Sequence, residues 1–408
     1  MSLLRDRRLA RLVVGQAVNA IGSWCALVAL WGYASFRFDA APTQIALLGL
    51  AWALPSVLLG PIGGVPVDRF GPKRVLVIAD TVAAGVALLF ILAGSFEALI
   101  ALAAVEGATK AFAEPAFQSL PPRLVDAEQL ASANGLLALA SQSAIAFGPM
   151  LAAGAIGLFG FDGAFVVNAL TYLVGVAVLL PFRIGPAPRA AERASDSSVR
   201  ADLREGLAVV GARPALQRLL ILATSVYLIW GAFIVVEPIY VREILHGTPT
   251  TFALLQTTFG VGLFATGLIV TRLGDRVAHT GIVCAGAIGS GLAAMVYVGS
   301  ATTAVAFGGI LLWGIVTGML IAPLRTLVQR ESPVEAQGRV FALDGTLHNT
   351  ADLFALTIVG ALATTAGVQA AGVAMAAVPI VGGSVIAWRF RRAGATARLD
   401  AGVEAAAA

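Results

Sequence analysis

Apolar residues in this chain come in long unbroken runs, separated by short clusters of glycine, proline and charged residues. The runs predict helices at 11–35, 43–67, 74–94, 98–118, 130–157 and 163–182, then at 216–240, 250–272, 279–299, 302–325, 338–363 and 369–390. Each is close to the ~20 residues a helix needs to cross the hydrocarbon of a bilayer. A transmembrane barrel would alternate apolar and polar positions over short strands, and these runs do not. Between the sixth and seventh runs lies a polar stretch, Arg183–Arg213, rich in Ala, Pro, Ser and Arg. Its portion 194–210 has the pattern of an amphipathic helix lying on a membrane surface. The expected organisation is a six-helix bundle at 1–183, a linker at 184–214, a second bundle at 215–392 and a tail at 393–408.

Composition sharpens this picture. Hydrophobic residues make up 58% of the 408 and charged residues only 12%, against about 25% charged in soluble domains. The surplus apolar surface must face lipid, so the chain is expected to be an all-α integral membrane protein. Twenty-four of the 27 Lys and Arg fall in the N-terminal segment, the linker, the tail and alternate loops. Arg37 and Arg242 lie on the opposite side and Lys110 within a run. Basic loops stay in the cytoplasm, which places both termini there, in the cell (inner) membrane. Topology accounts for the net charge of +4, and no nucleic-acid partner is expected. The basic, then apolar, N-terminus carries Gln16, Asn19 and Ser23 inside its run, and reads as a first membrane helix rather than a cleaved signal. Cys25 and Cys284 stand alone within predicted helices and suggest buried thiols, without a disulfide framework or metal-ligand spacing.

The two halves echo one another. Asp68-Arg69-Phe70-Gly71 recurs as Thr271-Arg272-Leu273-Gly274, and the segment Val125–Gly135 recurs as Val334–Gly345. Offsets of 203 and 209–210 residues imply two parallel six-helix repeats. The first echo belongs to the link Gly60–Arg74, GPIGGVPVDRFGPKR, where the chain is expected to leave the bilayer and turn back. Its spacing, Gly64-x-x-x-Asp68-Arg69-x-Gly71-x-Lys73-Arg74, resembles the signature loop of the major facilitator superfamily between its second and third helices. The resemblance extends over essentially the whole chain. It implies two pseudo-symmetric six-helix bundles that expose a midplane site alternately to each side. Asp68 is then a gating residue whose charge network latches the outward-facing state. The matching link Thr271–Arg276 lacks the Asp at the equivalent place and offers Asp275 instead.

In the fifth run, Gly148-Pro149 followed by Ala152, Ala153 and Gly154 resembles the family's antiporter motif, with alanines where the pattern has glycine. AFAEPAFQSLPPRLV, at 111–125, and Glu237-Pro238 resemble its drug-exporter branch of macrolide-efflux, multidrug and siderophore-exporting proteins. Relatives in that branch often carry Asp where this chain has Ser23, and many proton-coupled exporters carry an Arg in the fourth helix, which this chain lacks.

Charges embedded in the runs are the remaining chemistry. Glu106, Lys110 and Glu114 share one face of the fourth helix, and Asp344, His348 and Asp352 share one face of the eleventh. A charge at mid-membrane costs about 2.5–3.5 kcal/mol or more, so such groups pair or face a wet cavity. A histidine between carboxylates suits proton transfer, because imidazole titrates near neutrality. If the family arrangement carries over, Gln16, Asn19, Ser23, Trp24, Glu106, Lys110, Tyr227, Trp230, Glu237, Trp313 and Thr317 line the cavity.

Phosphate loops, catalytic triads and metal clusters are absent from the sequence, so neither an enzyme nor a cofactor is expected. The expected function is export of a fairly apolar small molecule, a drug or natural product, in exchange for protons, by a monomer in the lipid bilayer. Uptake or uniport, and lipid handling, remain the alternatives.

Overall fold

The computed structural model describes residues 7–182 and 199–407, all helix and connecting turns with no strand among them. The helices are α1 (Arg7–Phe38), α2 (Pro42–Phe70), α3 (Pro72–Leu89) and α4 (Phe96–Gln118), with α5 and α6 sharing the stretch Ala127–Leu179. There follow α7 (Val199–Gly211), α8 (Pro214–Glu243), α9 (Pro249–Leu273), α10 (Thr280–Gly299), α11 (Thr303–Glu331), α12 (Gln337–Ala366) and α13 (Val368–Ala407). The stretch Ala127–Leu179 breaks at Gly160, whose φ of 71° and ψ of −170° leave the helical region. Positive φ is readily available only to glycine, and the break gives α5 (127–159) and α6 (161–179). Apart from α7, the described helices therefore number twelve, in two six-helix halves. All but α4 are long and apolar enough to cross a membrane, with α5 and α6 counted as one stretch; α4 is interrupted by Glu106, Lys110 and Glu114.

One expectation is corrected here. Gly60–Arg74 is not a polar link: α2 continues through it to Phe70, with Pro55, Pro61 and Pro66 inside the helix. The turn is Gly71 alone, at φ 83°, and Pro72 opens α3 at once. Proline normally disfavours a helix interior. In hydrocarbon, however, an unwound backbone has nothing else to bond, and tolerance of proline rises. Packing adds to this. A Cβ built on Gly63 would lie 2.0 Å from the Ala111 carbonyl oxygen of α4, and one on Gly107 would lie 2.0 Å from the Trp52 oxygen of α2. Two glycines thus let the α2 and α4 backbones touch, the small-residue device of membrane helix pairs.

The expected amphipathic surface helix forms in part as α7. It docks on the start of α12, where Glu205 pairs with Arg339 at 2.9 Å. Residues 183–198 of the expected linker, and the side chain of Asp275, lie outside the described residues.

Packing divides the chain into two compact units. One holds α1–α6 together with Ile234–Gly260 and Leu356–Val368; the other holds Asp202–Phe233, Val261–Ala355 and the segment from Gln369 onward. Ends of α8, α9 and α12 thus belong to the same unit as the first-half helices. Inside that unit the crossings are close. A Cβ on Gly260 would sit 2.7 Å from the Ala146 Cα of α5, and one on Gly360 would sit 2.7 Å from the Ala46 Cβ of α2. In the second unit, Leu216, Leu219, Leu220, Val283, Leu320 and Val340 form a buried cluster. Many large apolar side chains remain exposed, among them Leu58, Ile78, Leu158, Leu268 and Val381, as lipid-facing positions require.

Candidate functional site

Within the first unit, α1, α3, α4, α5 and α6 enclose a cavity of about 290 Å³. Asn19, Trp24, Asp80, Lys110, Glu114 and Tyr172 are on its wall. The site is built on a close α1–α5 crossing. A Cβ on Gly148 would meet the Trp24 Cβ at 2.3 Å and the Ile21 oxygen at 3.0 Å. The Gly-Pro motif of α5 therefore holds the α1 backbone near enough for Gln16 Nε2 to donate to Ser141 Oγ at 3.1 Å. Ala152 and Ala153 are buried, whereas Gly154 faces open space.

Charge on α4 is arranged as the spacing anticipates. Lys110 stands beside both Glu106 and Glu114, and its Nζ lies 3.7 Å from the centroid of the Trp52 ring. That contact adds a cation–π attraction to the coulombic pull of the two carboxylates. Glu106 is 5% exposed and accepts from the Tyr172 hydroxyl at 3.3 Å and from Trp52. Glu114 is exposed and accepts from Gln118 Nε2 at 2.6 Å.

Sequence reasoning missed Asp80, Tyr172 and Trp52. Asp80 is 3% exposed on α3 and hydrogen-bonds to Asn19. A lone acid in the middle of an apolar run is itself a signal of this kind. Tyr172 and Trp52 carry no comparable signal, since aromatics are common throughout membrane helices.

The second unit assembles a separate cluster. Asp344, His348 and Asp352 of α12 lie along one face, and Tyr227 and Trp230 of α8 cover it. The Tyr227 hydroxyl donates to Asp344 at 3.2 Å, and its ring stacks on His348 at 4.1 Å between centroids and 6° between planes. Trp230 meets the same imidazole edge-on at 6.1 Å. His348 Nε2 lies 3.4 Å from Asp352 Oδ2, while Asp352 Oδ1 is buried with no partner among the described residues. Gly231 permits this approach, because a Cβ there would come within 2.7 Å of the Asp352 Cα.

Glu237 is in the first unit, 4% exposed, and accepts from Gln256 Nε2 at 2.8 Å. Trp313 belongs to the packed interior of the second unit. Its Nε1 donates to Ser290 Oγ at 2.8 Å, and its ring packs edge-on against Phe233 at 4.6 Å.

Asp68 is exposed and has no ion pair among the described residues; Arg69 instead lies over the Phe70 ring at 5.3 Å. Lys73 donates to the carbonyls of Leu180 and Phe182, at 2.9 Å for the latter, placing a cation at the C-terminal end of α6, where the helix dipole favours one. A Cβ built on Gly64 would meet nothing within 4 Å, and Arg74 is exposed.

A family model described as Major Facilitator Superfamily matches residues 12–229 and 219–407. The chain is 24% identical over 378 residues to the uncharacterized MFS-type transporter YfiS of Bacillus subtilis (strain 168), covering 90% of each chain. It is 24% identical over 268 residues to macrolide efflux protein A of Streptococcus pyogenes, covering 64% of this chain and 65% of that one. In fold it is similar to the crystal structure of a bacterial homolog of the human lysosomal transporter Spinster in an inward-facing and unoccupied conformation. That likeness has a TM-score of 0.70 at 14% identity and covers 94% of this chain and 96% of the other. With the family match spanning both six-helix halves, this chain belongs to the Major Facilitator Superfamily and is a multi-pass membrane transporter, not an enzyme.

Proposed function

We propose that this transporter exports a fairly apolar small molecule from the cytoplasm in exchange for protons, the two halves exposing a midplane site alternately to each side. The observation that carries this reading is the cavity of the first unit. It combines apolar and aromatic walls with a few charged groups, among them Lys110, held over the Trp52 ring. Apolar pockets with a small number of placed polar groups are the usual form of a site for such ligands. Embedded carboxylates and His348 supply groups able to carry a proton, which suits coupling to a gradient. The likeness to a macrolide efflux protein supports the direction and suggests macrolides as first compounds to try. The distribution of Lys and Arg supports cytoplasmic termini and a cell-membrane location. In this reading Asp68 engages in the outward-facing state and Gly148-Pro149 sets the α1–α5 contact.

The test is accumulation of a labelled macrolide, and of a panel of dyes, in cells with and without the gene, before and after a protonophore collapses the proton gradient. Export predicts that accumulation is lower in expressing cells and rises on collapse. A fall on collapse would mean uptake and would overturn the reading.

A further inference from the structure

The carboxylates around the first-unit cavity differ in how their charge is compensated. Glu106 has Lys110 beside it and two donors, Tyr172 and Trp52. These three groups offset part of the cost of burying its charge. Asp80 is as deeply buried, at 3% exposure, yet its side-chain hydrogen bond is to the neutral amide of Asn19. On α6 the small Gly175 lies against the pair: a Cβ there would be 3.4 Å from Asp80 Oδ2 and 3.8 Å from Asn19 Nδ2. An ionised carboxylate with only a neutral partner is costly at membrane depth, and taking up a proton removes that cost.

Asn19 is suited to both forms. Its Nδ2 donates to an ionised carboxylate, while its Oδ1 is buried with no partner among the described residues and can accept from a protonated one. The titratable and charged groups on the elements around Asp80 are Tyr172 on α6 and Glu106, Lys110 and Glu114 on α4; α1 presents neutral Gln16, Asn19 and Ser23.

We propose that Asp80 is the carboxylate that carries the exchanged proton in the first-unit cavity, with Asn19 bonding it in both protonation states. A proton from the external water converts the Asp80 carboxylate to the acid, and the acid returns that proton to the cytoplasmic water as substrate moves the other way. This rests on the proposed proton-coupled export and names the residue that performs the coupling.

The experiment uses the full-length protein in proteoliposomes, with flux of a labelled macrolide measured under an imposed pH gradient and under a substrate gradient alone. In Asp80→Asn the ratio of pH-driven to substrate-driven flux is expected to fall by about tenfold or more, and Asp80→Glu is expected to restore it with a displaced pH profile. An unchanged ratio and pH profile in Asp80→Asn would overturn the assignment. Wild-type protein without any response to the pH gradient would instead overturn the proton-coupled reading itself, and the assignment with it. Because Asp80→Asn could fail to insert, wild-type protein is also treated with a hydrophobic carbodiimide, which modifies protonated carboxyls, and analysed by peptide mass spectrometry. Modification at Asp80 that falls as pH rises is expected; a pH-independent absence of modification there would count against the proposal.

Discussion

The guanidinium of Arg242 on α8 lies 3.0 Å from the carboxylate of Asp39, at the turn between α1 and α2. The same guanidinium donates to the backbone carbonyls of Ser35 and Ala40, and the Ser35 hydroxyl donates to the Pro238 carbonyl at 3.0 Å. Two segments about 200 residues apart are thereby tied at one end of the first unit. Asp39 has a positive φ of 51°, a conformation Asp tolerates better than most residues. Asp39 is 89% exposed while Arg242 is 16% exposed, so the ion pair alone contributes no more than about 1 kcal/mol. Bonds from the shielded guanidinium to carbonyls are the stronger part of the clasp.

Removing that cation should loosen this end. Arg242→Gln is expected to weaken the tie between these two segments by about 1–3 kcal/mol. A cysteine introduced at buried Val236 should then react several-fold faster with a water-soluble maleimide. An equal labelling rate in the two backgrounds would show that the clasp does not hold these segments together.

At Asp68 the expectation is a split between stability and transport. The side chain is exposed and without an ion pair among the described residues, so Asp68→Asn should leave the melting free energy within about 0.5 kcal/mol of wild type. Transport should nevertheless fall if Asp68 serves the proposed outward-facing latch. Wild-type flux in this variant would remove the latch.

The α2–α4 crossing makes a packing prediction. Gly107→Val places new atoms against the Trp52 carbonyl and should destabilise the protein by about 1–3 kcal/mol or more, as overpacking does. Gly60→Ala, where a Cβ meets nothing within 4 Å, serves as the matched control and should be neutral or slightly stabilising. Thermal unfolding in detergent compares the two, and similar losses in both would contradict the close crossing.

His348 bears on pH. It is stacked on Tyr227 and faces Asp352, so its charge state alters the interactions holding α8 to α12. His348→Gln should flatten the pH dependence of flux in the region where the wild-type protein responds to pH, because it replaces a side chain able to take up a proton with a neutral amide. Flux measured across that region in proteoliposomes decides it; a superimposable profile would place His348 outside the proton path.

Hydrophobic run length governs which segments cross the bilayer, and that is a local property. Hence the twelve helices, the break near Gly160 and the surface helix beyond Val199 were all legible. The i, i+4 spacings of Glu106, Lys110 and Glu114, and of Asp344, His348 and Asp352, likewise follow from helix geometry within a single segment.

Partners across helices did not follow. That α2 runs on to Phe70 despite three prolines, that Gly63 and Gly107 serve its crossing with α4, and that Asp80 meets Asn19 all depend on which helices lie side by side. So does the difference between Glu106, matched by Lys110 and Tyr172, and Asp80, matched by a neutral amide. A buried charge has its energy set by atoms a few ångströms away that are distant in the chain. The sequence by itself determined a two-fold repeated, twelve-helix membrane protein and the helices that carry most of its embedded charges. Only the tertiary structure decided which of those charges meet a charged partner and which, like Asp80, meet a neutral amide.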